Sequence, residues 1–281
     1  MTFYVILASL FIASVVSQKD NEICPKLTDI APCACDREGF SCLKAKTIED
    51  IKKAFQAPSK QKAARGFWLN GTPITRIPKN LFNDYKIENM YMEFNQIREI
   101  EDGAFQGSEN SLQILSLHEN SMNSFPFDYL SKFQKLHSLV LEINLLFNKL
   151  SEVGEYAFAV NESNNPALLT LLLAFNSISY IHETAFDNLI PAEIDLRFNS
   201  LRKLDANVFR PLFLRMLQYA VQTKSLPGVV LTAGNPFTCR GCNDYLWLVR
   251  NKSLWSNVLP DFKCIDGTRL QQLTLEKIGC Y

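Results

Sequence analysis

Apolar and polar residues along this chain return in a fixed frame rather than in simple alternation. Aligned on Asn176, apolar residues stand eight, five and three positions before it and two and five after it, and Phe186 follows at ten. Around Asn95 the frame holds Ile87, Met90, Met92, Ile97, Ile100 and Phe105. Around Asn120 it holds Leu112, Leu115, Leu117, Met122 and Phe125, with Leu130 in the phenylalanine's place. Around Asn199 it holds Ile194, Leu196, Leu201, Leu204 and Phe209; the earliest copy has Thr72 at the anchor, then Ile74, Ile77 and Phe82. In "LHSLVLEINLLFNKLSEVGEYAF" both Asn144 and Asn148 satisfy the upstream half of the frame. Downstream, Asn148 meets Leu150, Val153 and Phe158, whereas Asn144 meets Leu146, Lys149 and Gly154, so Asn148 is the anchor. The four-residue offset is even and leaves Glu142 on the same strand face under either choice.

Successive anchors lie 23, 25, 28, 28 and 23 residues apart. Apolar spacing of this kind at this period is the leucine-rich repeat pattern, which predicts an α/β solenoid, a right-handed horseshoe with one short strand and one irregular or helical return per repeat. The strands should form a parallel concave sheet with neighbours about 4.8 Å apart, and the inward leucines, isoleucines and methionines one continuous core. Beyond each strand the chain turns inward and buries N–H and C=O groups that no neighbouring strand can reach. A carboxamide carries donors and an acceptor together, so Asn95, Asn120, Asn148, Asn176 and Asn199 are expected to form a structural ladder. The phenylalanines ten residues later should fill the convex side.

A solenoid exposes core at both ends and needs caps there. All eight cysteines lie at those ends: Cys24, Cys33, Cys35 and Cys42 in one group, Cys239, Cys242, Cys264 and Cys280 in the other. The expected organisation is a signal peptide over 1–17, an N-terminal cap over 18–65, repeats over 66–234 and a C-terminal cap over 235–281. The leader "MTFYVILASLFIASVVSQ" is apolar, short for a membrane span and ends in small residues, which predicts cleavage after Ser17 and a secreted, extracellular protein. Cysteine quartets in such a chain favour disulfides. "CRGC" (239–242) also fits half of a zinc ribbon or a redox pair, but a ribbon needs a second close pair, and Cys264 and Cys280 are sixteen apart. Ahead of the repeats, "TIEDIKKAF" predicts a short helix with Thr47 and Asp50 as a capping box and Ile48, Ile51 and Phe55 on one face. Between Asn199 and Asn235 the 36-residue interval must hold an extra helix or a long loop. Acceptor triplets for N-glycans stand at Asn70, Asn161 and Asn251.

Charge narrows the partners. The 29 Lys+Arg balance the 29 Asp+Glu, so there is neither the basic footprint of a nucleic-acid binder nor a polybasic run for an anionic membrane. The histidines, His118, His137 and His182, sit in no H-E-x-x-H, and no G-x-S-x-G or phosphate-cradling loop is present, so no catalytic, cofactor or metal site is expected. His118 and Glu119 are neighbours, and strand neighbours point oppositely, which predicts no direct pairing. Binding is the better expectation. The frame places Trp68, Tyr91, Ser116, Asn144, Leu172 and Asp195 in one row of the concave face, with Glu93, His118, Leu146, Ala174 and Arg197 beside it. Trp68 and Tyr91 suit a protein interface, and Glu142, Glu193 and Asp195 make the other end acidic. The expected ligand is an extracellular protein, with glycans or matrix proteins as the alternative. A glycan on Asn70 would crowd the N-terminal rim.

The caps also carry a likeness. "ICPKLTDIAPCACDREGFSC" and "NPFTCRGCNDYLWLVRNKSLWSNVLPDFKCIDGTRL", with "FPFDYLSKFQKLHSL" between them, resemble secreted arthropod leucine-rich repeat proteins, the family of the oplophorus-luciferin 2-monooxygenase non-catalytic subunit. The resemblance implies a secreted, glycosylated partner subunit whose chemistry is carried by another chain. It also implies two disulfides in each cap, Cys239 with Cys264 and Cys242 with Cys280 at the C-terminus. The usual C-terminal cap has one residue between its first two cysteines; here Arg240 and Gly241 both intervene, which puts the geometry of that loop in question.

Overall fold

The computed structural model describes residues 24–127, 142–159 and 169–280, and the backbone alone of Glu142. The leader, Leu130 and the Asn161 triplet lie outside the described residues.

The repeat frame becomes one sheet. Among the described residues it has nine strands in the order β1 (Ala34–Cys35), β2 (Gly39–Ser41), β3 (Ala63–Trp68), β5 (Lys86–Tyr91), β7 (Ile114–Ser116), β8 (Glu142–Asn144), β10 (Leu169–Leu172), β12 (Pro191–Asp195) and β13 (Val229–Leu231). From β2 onward every pairing is parallel; β1 and β2 form an antiparallel hairpin. In the returns β4 (Arg76–Ile77) pairs with β6 (Glu99–Ile100) and β9 (Glu152–Val153) with β11 (Tyr180–Ile181). The core runs between these layers: Phe67, Met90, Leu115, Ile143, Leu171 and Ile194 point into it from the sheet, all buried. Phe82, Phe105, Phe158, Phe186 and Phe209 fill the convex side as the frame predicts, with Phe82 stacked on Phe105 and Phe158 on Phe186.

The asparagine ladder is in place. Asn95 Oδ1 accepts from the Thr72 N–H and hydroxyl, and the same oxygen of Asn120, Asn148, Asn176 and Asn199 accepts from Ile97, Met122, Leu150 and Ile178 at 2.9–3.1 Å. Each Nδ2 donates to the preceding repeat, to the carbonyls of Leu69, Met92, Leu117, Leu145 and Leu173. Every carboxamide thus closes two groups that the inward turn removes from water, where an unpaired one costs about 1–3 kcal/mol. Asn148, rather than Asn144, occupies the ladder.

The caps close the ends by different means. At the N-terminus the disulfides Cys24–Cys35 and Cys33–Cys42 brace the hairpin, and Phe40 on β2 packs on Phe55 at 4.8 Å and Tyr85 at 5.2 Å. Phe55 comes from the predicted helix, Ile48–Gln56, whose capping box joins Thr47 and Asp50. The hydrogen bond from the Lys46 N–H, aided by that from Thr47, holds the Asp50 carboxyl below its ordinary range against the opposing effect of burial. The hairpin docks through glycine: a Cβ on Gly39 (φ +140°) would stand 1.9 Å from the Gly66 carbonyl oxygen.

The long interval before Asn235 is a helix, Ala206–Thr223, starting at Asp205, whose side chain accepts from the Asn207 N–H. It buries Val208, Phe209, Leu212, Phe213, Met216 and Ala220. Its Arg215 donates to the Phe186 and Leu189 carbonyls, tying it to the return of an earlier repeat; burial lowers the pKa of that guanidinium. The chain then re-enters the sheet as β13, and Asn235 adds a sixth ladder step. In the C-terminal cap Cys239–Cys264 and Cys242–Cys280 are the disulfides, as the resemblance implied. The additional residue between Cys239 and Cys242 is absorbed by left-handed backbone at Cys239 (φ 51°) and Gly241 (φ 111°), just ahead of the helix Cys242–Arg250. The exposed edge of β13 is sealed: Val258 accepts from Val230, and the Asp261 carboxylate accepts from Thr232 and Ala233. An open strand edge invites pairing with other chains, and this one has its donors satisfied.

Candidate functional site

Parallel register turns residues spaced a repeat apart into neighbours. Trp68, Tyr91, Ser116, Asn144, Leu172, Asp195 and Leu231 lie side by side across six pairings, so the first row predicted from the frame exists in register. The second row continues beyond the strands through backbone bonds: Phe94 N–H to His118, Glu119 N–H to Leu146, Phe147 N–H to Ala174 and Phe175 N–H to Arg197. Trp68 stacks on Tyr91 with ring centroids 6.1 Å apart and 13° between planes. Trp68 also lies back over Gly66, where a Cβ would meet its ring at 2.2 Å.

Three expected contact residues are not open. Ser116 and Asp195 are each 3% exposed, and Ala174 is fully buried. The Ser116 hydroxyl donates to Glu93, whose other oxygen accepts from Asn70 Nδ2 at 3.3 Å, so Glu93 bridges three strands' worth of polar groups. Asp195 is covered by Arg197, which grips it with Nε at 2.9 Å and Nη2 at 2.7 Å. This pairing raises the pKa of the Arg197 guanidinium. It also mutes the expected acidic end, because one of its three carboxylates is neutralised by a neighbour two residues away. Tyr91, Glu93, His118, Asn144, Leu146, Leu172, Glu193 and Arg197 are half-buried. Asn144 Oδ1 accepts from the Leu146 N–H, and only the backbone of Glu142 is described.

His118 and Glu119 overturn the strand-alternation argument. Their side chains meet, Nε2 to Oε1, at 3.3 Å. β7 ends at Ser116, and Glu119 has φ 51°, so the chain has left the extended conformation on which alternation depends. The His118 ring is wedged between Phe94 at 5.3 Å and Phe147 at 5.4 Å, and its Nδ1 is buried without a hydrogen-bond partner.

Those phenylalanines belong to a row that the frame did not single out. Phe94, Phe147, Phe175 and Phe198 each precede a ladder asparagine, and all are exposed. Phe147 stacks on Phe175 at 4.3 Å and Phe175 on Phe198 at 4.5 Å. The signal was legible as a dipeptide, Phe-Asn, recurring at four of the five asparagine anchors. It was missed because the frame records positions shared by apolar residues facing inward.

Of the acceptor triplets, Asn251 is exposed between two short helices, Cys242–Arg250 and Lys252–Trp255, whereas Asn70 is half-buried against Glu93. Among the described residues no helix is long and apolar enough to cross a membrane.

Stacked parallel strands, an asparagine ladder and disulfide caps define a leucine-rich repeat solenoid. The chain is 22% identical to the oplophorus-luciferin 2-monooxygenase non-catalytic subunit of Oplophorus gracilirostris, over 89% of this chain and 86% of that one. It superposes on a chain of the octameric complex of Latrophilin 3 (Lec, Olf), Unc5D (Ig, Ig2, TSP1) and FLRT2 (LRR) with TM-score 0.56 and 21% identity, covering 84% of this chain but 65% of that one. Human 5T4 (Wnt-activated inhibitory factor 1, trophoblast glycoprotein) aligns with TM-score 0.46 and 16% identity, covering 92% of this chain and 98% of that one. No family model matches the sequence.

Proposed function

We propose that this chain is a secreted, non-catalytic binding module that engages an extracellular protein through its concave sheet, as a subunit or scaffold for chemistry carried elsewhere. The observation that supports the reading is the register of the sheet, in which Trp68, Tyr91 and Leu172 share one row and backbone bonds carry His118, Leu146 and Arg197 in the row beyond it. Solenoids bind by such extended surfaces, and half-exposed aromatics supply contact area at low entropic cost. The similar Oplophorus protein is named a non-catalytic subunit, which favours the same role here. Four disulfides and the apolar leader support passage through an oxidising secretory compartment. A glycan is expected on Asn251, and occupancy of Asn70 would place one beside Glu93 at the N-terminal rim.

The test is the native mass of the gently isolated protein, by light scattering after size exclusion, with mass spectrometry of any chain that travels with it. A stoichiometric second chain released by Trp68→Ala with Tyr91→Ala supports the reading. A lone chain, or a complex indifferent to both substitutions, refutes it.

A further inference from the structure

Four aromatic rings stand where the fold does not require them. Phe94, Phe147, Phe175 and Phe198 have φ between 54° and 57° and leave 40–52% of their surface exposed. Left-handed backbone favours glycine, and a bulky residue there costs about 1–2 kcal/mol. Gly71 and Gly234 occupy the same step beside Thr72 and Asn235, so the turn itself accepts glycine. Large aromatics at strained, exposed positions in four of five repeats mark a surface suited to contact.

The geometry restricts what that contact can be. Both faces of Phe175 are covered by Phe147 and Phe198. The far face of Phe198 lies over Gly234, where a Cβ would stand 2.5 Å from Cδ1, and Phe147 meets His118 on its other side. Phe147, Phe175 and Phe198 therefore offer ring edges. Sugars and cations bind aromatic faces, so these three stacked rings match neither. Half-buried Leu146 and Leu172 adjoin the row and extend its apolar character toward the sheet. Its charge is Glu119, which interrupts the row between Phe94 and Phe147, meets His118 on one side and leaves about half of its side chain exposed; Glu93 precedes it by a repeat. At the other end Arg197 is already paired with Asp195, and Lys149 follows the ladder asparagine rather than preceding it.

We propose that the row Phe94, Phe147, Phe175 and Phe198, with Leu146 and Leu172, docks a protein segment that presents a strip of aliphatic side chains and a lysine or arginine facing Glu119. This rests on the protein-binding reading above and specifies the surface and the partner's chemistry. The complementarity is direct: ring edges and leucines take aliphatic groups, and the single charge in the row selects the opposite one.

The experiment is selection of a phage-displayed random peptide library on the disulfide-intact protein, with circular dichroism of each variant as the folding control. Enriched peptides are expected to combine aliphatic residues with Lys or Arg, and to bind Phe147→Ser/Phe175→Ser about tenfold or more weakly. Glu119→Lys, which leaves the aromatic row intact, is expected to reverse the preference to Asp or Glu. Undiminished binding to the double phenylalanine variant, or a charge preference unmoved by Glu119→Lys, overturns the proposal. Loss of binding in Trp68→Ala/Tyr91→Ala alone overturns it while leaving the concave-face reading standing. Loss in the phenylalanine variant alone does the reverse.

Discussion

The amide oxygen of Asn235 accepts the N–H of Leu201 at 3.0 Å across 34 residues of chain. Its Nδ2 donates to Leu196 and Thr232. The long helix between them is thus an excursion that leaves the ladder and returns to it.

Asn235→Ala is expected to destabilise the protein by about 2–4 kcal/mol, because it strands the Leu201 N–H and two carbonyls away from water. Asn251→Ala, at the surface, should stay within about 0.5 kcal/mol. Urea unfolding of the two variants checks this, and equal midpoints would remove the ladder from the account of stability.

Phe186 and Phe175 are both phenylalanines near a ladder asparagine, yet they should respond differently. Phe186 is 1% exposed and Phe175 40%. Truncation of Phe186 to alanine is expected to cost about 3–5 kcal/mol, the range for a core aromatic. The same change at Phe175 loses partial burial and stacking, about 1–2 kcal/mol. Thermal unfolding of both variants distinguishes a core ring from a surface one.

Gly39→Ala should detach the N-terminal hairpin from the first repeat. The added Cβ meets the Gly66 carbonyl, and φ +140° is strained for any residue with a side chain. The readout is local: the Gly66 N–H, bonded to Glu38 O at 2.7 Å, should exchange with solvent deuterium faster than in the parent while amides of β10 and β12 keep their protection.

Removing Cys242–Cys280 by paired serine substitution is expected to cost about 3–4 kcal/mol on the loop-closure model, given the 38-residue separation. Loss of cooperativity confined to the C-terminal cap, seen as early protection loss in the helix Cys242–Arg250, is the accompanying signature.

The cap helix has a defined acid response. Asp50 has a folded pKa below its ordinary value of 3.8, so its contribution is present above the unfolded pKa and disappears as pH falls through the lower folded one. Asp50→Asn should flatten that acid limb of stability, measured as the unfolding midpoint across the acidic range. An unchanged limb would show that the Lys46 and Thr47 N–H groups do not favour the charged carboxylate.

Much of the fold was legible in the sequence because its determinants are periodic or local. The inward apolar frame, the five asparagines and the Thr47–Asp50 box each depend on residues a fixed short distance apart, and among the described residues each stands where the pattern placed it. The candidate surface was less legible. Register brought Trp68 beside Tyr91 as expected, but Ser116 and Asp195 were read as open because strand alternation says which way a side chain points and nothing about what covers it. Glu93 and Arg197, one repeat away or two residues on, supply the cover.

The sequence by itself determined the solenoid: a 23–28-residue period of inward apolar residues can bury itself only by stacking, and the anchor carboxamides follow from the buried turn. Tertiary structure alone decided the surface. Left-handed backbone at Glu119 turned its side chain onto His118, and ring contacts across repeats joined Phe147, Phe175 and Phe198 into one stack, with Phe94 linked to it through His118. The first depends on backbone that leaves the extended conformation at Glu119, and the second on ring contacts between repeats; the Phe-Asn dipeptide marks the positions but not the contacts.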